Sequence, residues 1–280
     1  MECISNYHCY IGEGPIWNDR DALLYHVNGG TDEIIIIDPS REAAAVQNMK
    51  QQISSMAFTD DNRMIVATQD AVGIYTVNGI VPLYSGTETI CYANDGKVGP
   101  DGRFYVGTQS RARLKLSDAV DGKLYSIDAA GSLRILLDGL ILSNGMDWNM
   151  AENKFYHTDS ALNIIKEYEF DKISGEIMET GRSVHLKGVD GFTIDQKDVI
   201  WATCWGAGAV AAIDTNSMQI IDQVDIPAKI PASCAFYGKD MEYLAIVTAK
   251  YNLSLEVDPM AGCTFSQRMK TPGRIPYRFG

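Results

Sequence analysis

The chain has 280 residues, of which 46% are hydrophobic and 21% charged, and its formal net charge is −12. This composition is typical of a globular protein with enough apolar residues to bury a sizeable core. The acidic balance argues against nucleic acid and against anionic membranes as partners, because no basic cluster is available to neutralise phosphates.

The first residues, Met1–Asn6, have neither the basic nor the apolar stretch of a secretory signal, and no window of the chain approaches 18 apolar residues. The cysteines are scattered without C-x-x-C spacing, which favours buried free thiols in a reducing compartment. We therefore expect a cytoplasmic protein, monomeric or weakly homo-oligomeric. The cysteines are Cys3, Cys9, Cys91, Cys204, Cys234 and Cys263.

Helix signals are weak, and even Arg41–Gln51, which has the composition of a helical turn, lacks a sustained 3.6-residue period. Strand signals recur instead: a polar turn followed by an aromatic β-strand occurs six times, and an apolar third run such as Ile34–Ile37 follows most copies. The copies span residues 17–27, 58–68, 98–108, 142–160, 194–203 and 236–248.

The strands that lead into these copies begin with polar residues at positions 13, 54, 94, 144, 190 and 233, which are 41, 40, 50, 46 and 43 residues apart. Periods of about 40–50 residues with about four strands each are typical of propeller blades. We therefore predict an all-β, six-bladed β-propeller that forms one domain over residues 1–280. A β-sandwich or a doubled barrel is the alternative. The 50-residue interval contains an insertion at 110–121, which is either a loop over the channel mouth or plain surface.

A propeller brings the first strand of every blade to the central axis, so the residues at these strand heads would meet there. All six side chains carry oxygen, and two converging carboxylates would repel each other unless a cation lay between them. Such an all-oxygen set selects a hard divalent ion such as Ca²⁺, Mg²⁺ or Mn²⁺. We therefore predict a central metal site, formed from among the head residues Glu13, Ser54, Asn94, Asn144, Asp190 and Ser233.

The segments around these heads resemble the motifs of the senescence-marker-protein/gluconolactonase/luciferin-regenerating-enzyme-like family, which includes regucalcin. The resemblance covers essentially the whole chain and follows the same order. The segments that carry it are Ile11–Trp17, Asn94–Lys97 with Pro100–Phe104, Ser143–Trp148, Asp190–Asp195 and Pro231–Phe236.

The resemblance implies a six-bladed propeller with one catalytic divalent cation, and it implies an enzyme that opens sugar lactones. Glu13, Asn144 and Asp190 match the metal ligands of the family, and Asn94 matches an asparagine that contacts substrate. Asp190 also matches the carboxylate that acts as acid or base, although the sequence leaves open whether it is a general base or only a ligand. The cation remains open among Ca²⁺, Mg²⁺, Mn²⁺ and Zn²⁺.

Tyr92 departs from the family pattern, because sugar lactonases often carry an arginine at this position. A tyrosine there predicts a substrate pocket suited to a flatter or less hydroxylated molecule. We expect hydrolysis of a small, sugar-derived lactone to its hydroxy acid. The alternatives are a phosphotriesterase of the diisopropylfluorophosphatase type and a calcium-binding propeller without turnover. We expect His157 to be a hydrogen-bonded interior histidine, with a catalytic base as the alternative. Trp205 is a candidate channel residue.

Overall fold

The computed structural model describes residues 1–41, 43–84, 90 and 92–280. Over these residues it contains 24 β-strands and one short 3₁₀ turn, Ser160–Leu162. The strands are β1 (Glu2–Ser5), β2 (Gly12–Asn18), β3 (Leu23–Asn28), β4 (Glu33–Asp38), β5 (Ala43–Asn48), β6 (Ile53–Phe58), β7 (Met64–Thr68), β8 (Val72–Thr76), β9 (Gly79–Pro82), β10 (Ala93–Val98), β11 (Phe104–Thr108), β12 (Gly122–Ile127), β13 (Leu133–Leu140), β14 (Ser143–Trp148), β15 (Lys154–Asp159), β16 (Ile164–Asp171), β17 (Glu176–His185), β18 (Val189–Ile194), β19 (Val199–Cys204), β20 (Ala209–Asp214), β21 (Gln219–Asp225), β22 (Pro231–Tyr237), β23 (Tyr243–Thr248) and β24 (Thr264–Arg268).

Within the described residues the strands form six antiparallel sheets of four strands each. Five of the sheets are built from four consecutive strands joined by hairpins, which is the arrangement that the repeated pattern predicts. The sixth has the order β1-β24-β23-β22, so its outer strand comes from the opposite end of the chain. The six sheets confirm the predicted all-β, six-bladed propeller class.

Contacts divide the chain into two units, residues 1–52 with 186–276 and residues 53–185 with 277–280. In the first unit, the sheets β2–β5, β18–β21 and β22–β24 with β1 contribute to one apolar core. Its buried members include Trp17, Leu24, Phe236 and Phe265. The first strand β22 packs beside both β2 and β18, the first strands of the other two sheets.

The second unit contains the sheets β6–β9, β10–β13 and β14–β17, and β10 packs beside both β6 and β14. One of its cores is aromatic: Trp148 and Phe155 have ring centroids 4.9 Å apart, and Tyr105 lies 4.8 Å from Trp148. The aromatic residues of the repeated pattern are therefore core residues, because alternate positions on these strands face the neighbouring sheet.

Two details differ from the sequence interpretation. The segment with a helical composition contains β5, because Ala43–Asn48 completes a ladder along β4 and the composition by itself does not decide the conformation. Cys9, Cys204, Cys234 and Cys263 are buried free thiols as predicted, whereas Cys3 is free but exposed. The prediction for Cys91 falls outside the described residues.

Candidate functional site

The predicted head residues occupy corresponding places in their strands. Glu13, Ser54, Asn94, Asn144 and Asp190 are each the second residue of the first strand of a sheet, and Ser233 is the third residue of β22. Each of these strands shifts its pairing register at its head. A shift of this kind re-aims a side chain out of the regular alternation of the strand. The heads are therefore irregular points at which polar side chains leave the ladder.

In the first unit, the heads of β18 and β22 are joined by a buried threonine. The Thr203 hydroxyl lies 2.8 Å from two carbonyl oxygens, those of Gly191 and Ala232, which flank Asp190 and Ser233 in sequence. Asp190 and Ser233 are both 5% exposed. Thr203 therefore fixes the spacing between the backbones of these two strand heads, next to Asp190 and Ser233.

The glycine before Glu13 makes room for neighbouring backbone, and the glycine after it has a left-handed backbone conformation. A β-carbon on Gly12 would approach the Thr248 carbonyl oxygen to 2.9 Å, and Gly14 has a φ of 54°. Both positions disfavour any larger residue. Glu13 itself is half-buried and pairs with Val27 just before the register shift.

In the second unit, Asn94 is held in place by two hydrogen bonds. Its side-chain Nδ2 donates to the Ser143 carbonyl oxygen over 2.9 Å, and its Oδ1 accepts from Gln109 Nε2 over 3.2 Å. The first bond joins the head of β10 to Ser143, the residue before Asn144. Asn144 itself is 5% exposed. Sequence reasoning missed Gln109, because its contact with Asn94 depends on the register in which β10 pairs with β11.

Tyr92 lies next to this pair in an uncommon backbone conformation, with a φ of 58°. Its amide donates to the Gln69 carbonyl over 2.6 Å, and its carbonyl accepts from the Gln109 amide over 3.0 Å. Its side chain is half-buried. The structure thus brings Tyr92, Asn94 and Gln109 together at one strand head. Tyr92, the residue at which the chain departs from the family pattern, therefore lies beside Asn94.

His157 is an interior histidine, as the sequence interpretation favoured. It is 2% exposed, and its Nε2 lies 2.7 Å from the Ser143 Oγ. Burial lowers the pKa of His157 to about 3, so the ring is neutral near pH 7. Its contact with Ser143 supports the strand that carries Asn144.

Lys97 bridges two sheets beneath these heads. Its Nζ donates to Asp147 Oδ2 over 3.0 Å, and Asp147 is 3% exposed. Burial raises the pKa of the nearby Asp95 carboxyl, while the Lys97 ammonium opposes that shift. The ion pair of Lys97 and Asp147 links β10 to β14 close to their heads, because burying a paired charge costs much less free energy than burying a lone one.

An aromatic cluster stands at the same end of the first unit as Glu13 and Asp190. The Tyr10 and Tyr251 rings have centroids 5.5 Å apart, and those of Trp205 and Tyr251 are 6.0 Å apart. Each residue lies in a loop at the head end of its sheet, beyond the end of a strand or before its start. The sequence pointed to Trp205 alone, since the cluster joins three distant loops.

The insertion at 110–121 closes on itself through an ion pair. Asp121 accepts from the Arg111 backbone amide over 2.9 Å and from its Nε over 2.6 Å. The Arg113 amide donates to Ser110 Oγ over 3.1 Å. These bonds give the loop a defined shape in which the Arg111 charge is already paired.

Within residues 1–41, 43–84, 90 and 92–280, no three His, Cys, Asp or Glu side chains group as metal ligands. The predicted ligands Glu13, Asn144 and Asp190 are two carboxylates and an amide, so they do not form a group of this kind. The central metal site therefore stays a prediction. The described part of the chain also has no helix with the length and apolar character needed to cross a bilayer.

The six four-stranded sheets of the described residues define the class of protein as a six-bladed β-propeller. Residues 11–250 match the family model described as SMP-30/Gluconolactonase/LRE-like region. The chain belongs to this family, as its motifs predicted.

Three known proteins illustrate the relationship. A Bacillus subtilis protein named as a candidate sugar lactone lactonase, YvrE, is 30% identical over 96% of this chain and 94% of its own length. Regucalcin of Danio rerio is 28% identical over 100% of this chain and 98% of its own. The crystal structure of regucalcin from Agrobacterium tumefaciens, described as a calcium-binding protein, has a TM-score of 0.88 at 21% identity and covers 100% of this chain and 97% of that one.

Proposed function

We propose that this protein is a metal-dependent lactonase that hydrolyses a small, sugar-derived lactone to its hydroxy acid. One observation carries the proposal: Glu13, Asn144 and Asp190 share the second position of first strands whose register shifts at that point. Family membership and the sugar lactone lactonase name of the Bacillus subtilis relative support the same reaction class.

The donor chemistry of this set fits one divalent cation. Two carboxylates and an amide oxygen are hard ligands that suit Ca²⁺, Mg²⁺ or Mn²⁺, and Zn²⁺ also accepts carboxylate oxygen. Glu13, Asn144 and Asp190 would hold the ion, and fewer ligands than a closed calcium cage requires would leave places for water and substrate. A cation bound there supplies a Lewis acid that polarises the carbonyl oxygen of the lactone.

The chain's own groups supply the remaining chemistry. In the proposed reaction, Asp190 accepts the proton from the water that attacks the carbonyl carbon. It then returns that proton to the ring oxygen as the bond between the carbonyl carbon and the ring oxygen breaks, which gives the hydroxy acid. Asn94, already oriented by Ser143 and Gln109, and the side chain of Tyr92 contact the polar groups of the substrate. Because Asn94 is fixed before substrate arrives, little side-chain entropy is lost on binding.

The first test compares Asp190→Asn with Asp222→Asn, a matched change at an exposed aspartate on β21, the outer strand of the same sheet. Ring opening of a panel of aldonolactones is followed by proton release, with metal-free protein and with each of the four cations added back. We expect Asp190→Asn to lose about 100-fold or more of the metal-restored rate, and Asp222→Asn to keep it.

Two outcomes would contradict the proposal. If no lactone is turned over while the protein still binds a cation, a phosphotriester panel and a calcium titration then separate the phosphotriesterase from the binding propeller. If Asp190→Asn keeps the wild-type rate, Asp190 is neither the base nor an essential ligand.

A further inference from the structure

The cluster of Tyr10, Trp205 and Tyr251 is built from three loops, each of which is fixed by backbone hydrogen bonds. The Lys250 amide donates to the Cys9 carbonyl over 3.2 Å, and Ile11 forms a β-bridge with Ala249, so Tyr10 and Tyr251 stand side by side. The Trp205 amide donates to the Gly188 carbonyl over 2.6 Å. Gly188 has a φ of 71°, and any side chain there would collide with the backbone of Trp205.

These bonds also fix where the aromatic cluster lies relative to the two carboxylates of the first unit. Tyr10 precedes Glu13 by three residues, and the carbonyl partner of Trp205, Gly188, precedes Asp190 by two. Tyr251 joins the two flanks, because its ring contacts both Tyr10 and Trp205. The cluster is therefore an aromatic wall at the strand heads, between the Glu13 and Asp190 sides of this unit.

The tyrosine side chains of the cluster are partly exposed to solvent and lie outside the protein core. Tyr10 is 37% exposed and Tyr251 39% exposed, unlike the buried aromatic residues of the sheets such as Phe236 and Phe265. Aromatic rings that are fixed in place and left facing solvent beside polar groups are typical of a recognition surface, since they offer a large contact area at a small loss of conformational freedom.

We propose that this wall determines substrate specificity by stacking against an apolar ring face or aryl substituent of the lactone. The inference rests on the proposed lactonase function and adds the class of substrate: a lactone with a flat, weakly hydroxylated surface. Tyr92 in place of the usual arginine favours the same class, because a tyrosine offers one hydroxyl where a guanidinium would bind several.

The test uses two lactones that differ only in an aryl group, δ-valerolactone and δ-phenyl-δ-valerolactone. We expect Tyr251→Ala to raise the KM for the phenyl lactone about threefold to tenfold more than the KM for the parent lactone, as expected for the loss of one aromatic contact. Tyr251→Phe keeps the ring and should restore the wild-type ratio of the two KM values. Ile221→Ala, which truncates an exposed side chain on the outer strand β21, is the matched control and should leave the ratio unchanged.

A second measurement keeps this inference separate from the proposed catalysis. The Asp190→Asn protein is titrated with the phenyl lactone while tryptophan fluorescence is recorded, and Trp205→Phe in the same background identifies the signal from that residue. A saturable change that Trp205→Phe removes and Tyr251→Ala weakens supports the wall even if the wild-type protein hydrolyses no lactone. An absence of saturable change, or a KM ratio that Tyr251→Ala leaves unaltered, would overturn it.

Discussion

At the scale of single residues, Gln109 is the side chain that orients Asn94. Its amide is the donor to Asn94 Oδ1, while Ser143 accepts from the other end of the same side chain. With only one of these two bonds left, the Asn94 amide could rotate out of the orientation that the proposed substrate contact needs. In the proposed site, Gln109 therefore acts by positioning Asn94.

We predict that Gln109→Ala raises the KM for the lactone about twofold to tenfold with a smaller effect on kcat, which corresponds to the loss of one hydrogen bond. Steady-state kinetics on the best lactone of the panel measures this effect. Gln223→Ala is the control and should match the wild type, because Gln223 is an exposed residue of β21 whose side chain donates to Asp225. Equal KM values for the two variants would show that Asn94 does not depend on Gln109.

A second residue-scale prediction concerns His26, which is fully buried and whose Nε2 lies 3.2 Å from the Thr264 hydroxyl. Burial lowers the pKa of His26 from 6.5 to about 4. Between these values the unfolded chain binds a proton that the folded chain does not. The stability contributed by the neutral ring is therefore complete above pH 6.5 and is lost as the pH falls towards 4.

We expect His26→Gln to reduce the loss of unfolding free energy between pH 8 and pH 5 by ~2 kcal/mol. Urea denaturation at the two pH values measures this difference. Thr264→Val removes the hydroxyl partner but leaves the titrating ring, so it should lower stability at both pH values and keep most of the pH dependence. A His26→Gln protein with the full wild-type pH dependence would refute the assignment.

At the scale of the strand, glycine opposite serine allows neighbouring sheets to approach closely. Gly107 on β11 faces Ser143, the first residue of β14, and a β-carbon at residue 107 would overlap the serine side chain. The same relationship occurs in the first unit between Gly191 and Ser233. Close approach at these points sets the positions of the heads that carry Asn144 and Asp190.

We predict that Gly107→Ala lowers the free energy of unfolding by about 1–3 kcal/mol through overpacking. Adding Ser143→Gly should recover part of that loss, because it removes the atoms with which the new methyl group collides. Denaturation of the two single variants and the double variant measures their coupling. Additive effects would mean that the two residues do not compete for the same space.

At the scale of the whole molecule, the proposed cation should stabilise the native state. A ligand that binds only the folded chain raises the free energy of unfolding by ~2.7 kcal/mol at 100 times its dissociation constant. We expect one thermal transition for residues 1–280, as predicted for a single domain, with a midpoint that rises when Ca²⁺ or Mn²⁺ is added to chelated protein.

Calorimetry of the wild type, Glu13→Gln, Asp190→Asn and Asp222→Asn separates a specific site from general ionic effects. The rise in the thermal midpoint with added metal should disappear in Glu13→Gln and Asp190→Asn and persist in Asp222→Asn, as in the wild type. Equal midpoints with chelator and with metal would count against the site, and two separate transitions would count against a single domain.

The sequence by itself determined the six repeats, the place of each polar residue near the start of a first strand, and the family. These follow from local patterns, since alternation along a strand and turn residues between strands depend on neighbours in the chain. The positions of Glu13 and Asp190 near the starts of their strands were predicted in this way, and their role as metal ligands stays a prediction.

Only the tertiary structure decided the rest. The register shifts at the heads, the support of Asn94 by Gln109 and Ser143, the strand β5 and the aromatic wall were not predicted from the sequence. Some of them depend on contacts between segments that are far apart in the chain, as β1 does when it pairs with β24. The others depend on the register in which consecutive strands pair. No local pattern encodes such a contact, because it forms only when separate segments are packed against one another.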